Sequence, residues 1–82
     1  MGLRIDVKTV GVKTLTSISG ELLAEGVLEL KKALPMTADA LEFDLSNLRF
    51  ADSEGTKALR GLINDGATVI GASPFIKKLL GI

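Results

Sequence analysis

The residues best placed to do chemistry are a hydroxyl between two carboxylates, Asp52-Ser53-Glu54, followed by Gly55, a second hydroxyl at Thr56, and Lys57. Before them, Leu41, Phe43 and Leu45 alternate with Glu42, Asp44 and Ser46, the period of a strand. Leu48 and Phe50 continue the apolar signal, and Ala58, Leu59, Leu62 and Ile63 follow at helical spacing. The spacing predicts a strand that hands over to a helix through a tight loop, with Ser53 in the first turn. Backbone N–H groups there lack helical partners. A phosphate on Ser53 would meet those donors and the positive end of the helix dipole.

Capping explains part of this run without any function. Asp52 suits the N-cap, and an acid such as Glu54 is favourable in the first turn. Gly55 fits capping less well, because Gly weakens a helix. It is useful there if another backbone approaches closely. Thr56 reads first as an ordinary helix residue. Asp44, on the polar side of the strand, reads first as a solvated or capping carboxylate and second as a hydrogen-bond orienter near Ser53. Arg49 and Lys57 flank the loop and would pair with Glu54 or with a phosphate; a surface pair contributes ~0–1 kcal/mol.

The elements that must hold this loop are legible along the chain. Leu3, Ile5 and Val7 alternate with Arg4, Asp6 and Lys8, Gly11 marks a turn, and Val12 to Ser19 read as a second strand, so the two form a hairpin. From Leu22 or Leu23 to Leu34 the stripe Leu23, Val27, Leu30, Leu34 is helical, and Pro35 stops it. Gly26 inside this helix reads first as close packing against the sheet and second as a place where a partner backbone approaches. Met36 to Ala40 read as a connector. The helix opened by Asp52 runs to about Asn64 and ends at Asp65-Gly66. Ala67 to Ile70 read as a short buried strand. Ser73-Pro74 then start a last helix, with Ser73 as N-cap and Pro74 at its first position. The order β-β-α-β-α-β-α predicts one α/β domain over residues 1–82: a mixed four-stranded sheet with about three helices on one face.

Composition excludes several kinds of function. With 82 residues, the chain fits one domain that buries roughly 60–65% of its unfolded surface. Ten basic residues balance ten acidic ones, which argues against a nucleic-acid groove. No Cys and no His are present, which removes disulfides, Cys/His metal sites, cysteine nucleophiles and any Ser-His-Asp triad. An enzyme is therefore not expected, and neither a cofactor nor a metal is implied. No run approaches ~20 apolar residues and the first residues lack a signal-peptide core, so no direct membrane insertion is expected and the cytoplasm is the expected compartment.

The central residues also carry a resemblance. Phe43-Asp44-Leu45-Ser46, then Leu48-Arg49-Phe50-Ala51-Asp52-Ser53-Glu54-Gly55, resembles the motif of the STAS domain, a family that includes the bacterial anti-sigma factor antagonists. Its usual pattern is a strand ending in Asp-Leu-Ser, then Asp-Ser-Ser-Gly or Asp-Ser-Thr-Gly opening a helix. Ser19-Gly20-Glu21-Leu22 and Leu79-Leu80-Gly81 are similar to flanking family segments. The resemblance implies the same mixed sheet, in a member smaller than usual. It implies that Ser53 is a phosphate acceptor for a GHKL-type serine kinase, often itself an anti-sigma factor. The unphosphorylated domain would bind that kinase through the loop and helix from Asp52 to Lys57, and the phosphate would break the complex. Glu54 departs from the family's small polar residue; its repulsion of a phosphate, about 1.4 kcal/mol, is of the size the helix dipole offsets. The alternative is a constitutive adaptor that braces an ABC-type ATPase in lipid transport without phosphorylation. A homodimer is compatible with either reading.

Overall fold

The computed structural model describes residues 2–34 and 41–82. The expected stop at Pro35 and the connector Met36–Ala40 lie outside the described residues. The elements are β1 (Leu3–Val10), β2 (Lys13–Leu22), α1 (Ala24–Ala33), β3 (Leu41–Leu45), β4 (Leu48–Ala51), α2 (Ser53–Asn64), β5 (Thr68–Ala72) and α3 (Pro74–Leu80). This is the mixed α/β arrangement expected, with one more strand than expected.

The extra strand comes from Ser46-Asn47. The Asp44 carboxylate accepts hydrogen bonds from Ser46 N–H (3.1 Å) and Ser46 Oγ (2.6 Å), which folds the chain into a side-chain-mediated turn. What reads as one long strand is therefore two. β1 and β2 form the antiparallel hairpin, while β3 and β4 run parallel to β2, one after the other along its far edge. β5 is parallel to β3 and completes the order β1-β2-β3-β5, with β4 on β2. The apolar run Ala67 to Ile70, expected to be a buried strand, is an edge strand instead. Ala67 is buried, but Ile70 is 53% exposed: it is the residue skipped at the register shift between Val69 and Gly71, and among the described residues β5 pairs with β3 alone.

The helices pack side by side against the sheet, α2 between α1 and α3. Ile18, Leu22, Phe43, Leu45, Leu48, Leu59 and Ile76 fill the interface. Gly26 meets the expectation of close packing: a Cβ there would lie 2.6 Å from Leu3 Cδ2. The opposite face of the sheet is polar, with Asp6, Ser17, Asp44 and Gly71 in neighbouring registers across four strands.

One polar group sits within the core. Thr16, between Val7 and Phe43 in register, is 0% exposed, and its hydroxyl has no hydrogen-bond partner among the described residues. A buried unpaired hydroxyl costs about 1–3 kcal/mol. Thr16→Val is therefore expected to raise the thermal midpoint by about 4 °C or more. A midpoint that stays or falls on calorimetry would show that the hydroxyl is satisfied in solution.

Candidate functional site

The site forms where two parallel strands end side by side. Leu22 closes β2 opposite Ala51, which closes β4, and each strand leads directly into a helix. The N-termini of α1 and α2 consequently lie together. The C-terminal edge of parallel strands is where open α/β sheets place their ligands.

Asp52 joins the two helices. It is the N-cap of α2, where its Oδ1 accepts from Gly55 N–H at 2.8 Å. Its Oδ2 accepts from Ala24 N–H, the first residue of α1, at 2.9 Å. The N-cap of α1 itself, Leu23, supplies no side-chain bond, so Asp52 caps both helices. Its own N–H donates to Leu22 O at 3.1 Å, which pins the loop to the end of β2. The bonds from Gly55 and Ala24 N–H hold the Asp52 carboxyl below the usual carboxylate range.

Ser53 follows as the first residue of α2, and both Ser53 and Glu54 are exposed. No hydrogen bond to Ser53 N–H or its hydroxyl is made among the described residues. Thr56 is half-buried; its Oγ1 donates to Ala51 O at 3.4 Å and its N–H to Asp52 O at 2.8 Å, the placement of an ordinary first-turn residue. Lys57 is exposed. The ion pairs among the described residues are Arg4–Asp6 and Lys13–Glu42; Arg49, Lys57 and Glu54 join neither.

Two residues of the sequence-based site stand apart from the exposed group. Gly55 is buried, and a Cβ on it would fall inside the Leu22 carbonyl. A backbone does approach closely there, and it belongs to this chain, so Gly55 shapes the loop from beneath. Among the described residues Asp44 bonds Ser46 alone, and it holds the β3–β4 turn. These bonds lower its carboxyl from the ordinary value. It orients Ser46, not Ser53.

Beside Ser53 runs a groove that the sequence reading missed. Phe50, Ser53, Lys57, Arg60, Gly61 and Leu79 line it. Phe50 stacks on Phe75 of α3, with ring centroids 6.4 Å apart, yet the two remain 40% and 49% exposed. The stack joins residues far apart in sequence, and no local pattern announces it. The α2 wall was within reach, because Ser53, Lys57, Arg60, Gly61 and Asn64 recur at the spacing of one helix face. No cluster of three or more metal-ligating side chains gathers among the described residues. No helix among them is long and apolar enough to cross a membrane.

This architecture is found in known proteins, although no family model and no curated protein matches the chain. Over 87% of its length it is similar to the antisigma-factor antagonist STAS domain from Rhodobacter sphaeroides, covering 84% of that chain at 18% identity and a TM-score of 0.58. Over 94% it is similar to a protein from Shewanella loihica PV-4 with a SpoIIAA-like fold, covering 72% of it at 15% identity and a TM-score of 0.51. It is also similar over 84% of its length to part of Mglu, at 20% identity and a TM-score of 0.62, and spans 19% of that chain. The fold is that of a STAS-like domain. Within it, the segment resembling the family motif occupies the junction between β4 and α2.

Proposed function

We propose that the chain is a STAS-type protein-interaction module that grips its partner through the start of α2 and is released when Ser53 is phosphorylated. The supporting observation is the exposed Ser53 at the first position of α2, beside a groove that carries exposed aromatic and basic side chains. A phosphate would bring about 1.5–2 negative charges into a packed interface, and its desolvation would break the contact. The reading gives the protein no catalytic step of its own; a GHKL-type serine kinase would supply ATP and double as the partner.

One observation favours the adaptor reading. Glu54 puts a second carboxylate beside Ser53 where the STAS motif carries a small polar residue, and it repels a phosphate made there. A constitutive subunit bracing an ABC-type ATPase would need no modification there.

Incubation with a GHKL serine kinase and ATP separates the two. The switch reading expects a gain of about 80 Da that Ser53→Ala abolishes, with Ser53→Asp capturing the kinase at least tenfold more weakly than wild type. An unchanged mass, with Ser53→Ala and Ser53→Asp both binding the partner like wild type, would end it. Co-purification with an ABC ATPase would then favour the adaptor.

A further inference from the structure

Resting on the interaction-module reading above, we propose that the groove between α2 and the Phe50–Phe75 stack seats an acidic amphipathic helix of a protein partner, and that Gly61 lets its backbone come close. Gly61 lies inside α2, is exposed, lines the groove, and a Cβ on it would meet nothing within 4 Å. Gly weakens a helix interior. Gly55 is required by the Leu22 carbonyl of this chain, and Gly26 faces the Leu3 side chain. Nothing among the described residues requires Gly61, and its bare backbone faces outward into the groove.

The walls specify what comes there. Phe50, stacked on Phe75, and Leu79 of α3 supply apolar surface of the kind that anchors partners. Lys57 and Arg60 supply cations that pair with no carboxylate among the described residues. The carboxylate of Asp52, also at the groove, is already held by two amide N–H groups. The groove is thus apolar and cationic in a chain whose formal net charge is zero. Its complement carries apolar anchors flanked by Asp and Glu. The α2 wall is a helix face, which offers side chains but no unpaired backbone ladder. A partner strand would gain no main-chain bonds from it; a helix needs none.

The test uses the whole unphosphorylated chain and a synthetic amphipathic peptide of about 16 residues, long enough to hold a helix, with Leu and Phe on one face and Glu on its flanks. Amide shifts on titration are expected to cluster at Phe50, Lys57, Arg60, Gly61 and Leu79. A peptide with Lys in place of Glu is expected to bind at least tenfold more weakly, and raising the salt should narrow that gap. Gly61→Leu is expected to raise the thermal midpoint by about 3 °C or more and yet cost at least tenfold in peptide affinity. A merely structural glycine would not move the two in opposite directions. The double variant Lys57→Glu/Arg60→Glu is expected to prefer the basic peptide.

Shifts scattered over the surface, equal binding of both peptides, or wild-type affinity in Gly61→Leu would each overturn the inference. Concentration-dependent shifts at the groove without peptide would assign it to a second copy. Sedimentation with phosphatidylserine vesicles but no response to peptide would assign it to a membrane surface. Either result overturns the inference too. Peptide binding without phosphorylation of Ser53 leaves the groove and removes the switch; phosphorylation and kinase capture without peptide binding do the reverse.

Discussion

Gly55→Ala is expected to remove a large share of the stability of this domain, although it adds one methyl group to a helix. The new Cβ would lie inside the Leu22 carbonyl oxygen, 3.0 Å from the carbonyl carbon and 3.1 Å from Leu22 Cγ. Leu22 cannot yield. Its side chain is wholly buried, its backbone pairs with Ala51, and its carbonyl takes the Asp52 N–H. The strain must instead push the first turn of α2 away from β2, stretching the bond from Gly55 N–H to Asp52. Overpacking against backbone costs about 3 kcal/mol or more, out of a total of about 5–10 kcal/mol for a domain of this size. The thermal midpoint should fall by about 12 °C or more. Gly61→Ala, the same chemical change in the same helix, is expected to stabilise by about 1 kcal/mol because its Cβ meets nothing. Urea unfolding of the two variants measures both signs. Equal effects would mean that the closeness of β2 and α2 does not govern this site.

Gly55 also shows how far the sequence reaches. A glycine in the first turn of a helix announces that something comes close; it cannot say whose backbone that is. Local chemistry was readable in the same way elsewhere. Alternation located β1 and β3, Asp52 located the start of α2, and Ser73-Pro74 located that of α3, where Ser73 Oγ accepts from Ile76 N–H at 3.2 Å. Each of these signals spans a few residues. The turn at Ser46 depends on where the Asp44 side chain points, so β3 and β4 read as one strand. The exposure of Ile70 goes with a register shift in the pairing of β5 with β3, which composition does not reveal. The site needed longer reach still: Asp52 meets Ala24 across 28 positions, and Phe50 meets Phe75 only because α3 returns beside β4.

Asp52→Ala is expected to loosen two helices at once. The carboxylate caps α2 through Gly55 and α1 through Ala24, and Ala24 has no substitute, since Leu23 contributes no cap. A single lost cap lowers the midpoint of a domain this size by several degrees; losing a charged acceptor shared by two helices should lower it by about 8–12 °C. Asp52→Asn should fall between, because its amide can accept one of the two N–H groups but turns a donor toward the other. Acid provides the second measurement. The folded-state pKa of Asp52 lies below its ordinary 3.8, so its contribution is complete above that value and fades as pH falls through the lower folded value. Asp44 is lowered as well and adds a parallel loss over the same range. The gap between wild type and Asp52→Asn should therefore be full near neutrality and close in strong acid, whereas Asp44→Asn should titrate similarly without disturbing α1. Hydrogen exchange decides whether the helices are linked: in Asp52→Ala the amides of Ala24 and Gly55 should lose protection together. If only Gly55 responds, α1 is held by packing alone. If both respond, any event that pushes the Asp52 carboxylate away from a new negative charge on Ser53 is felt in α1 as well. The rigid ground on which a partner stands would then extend across both helices.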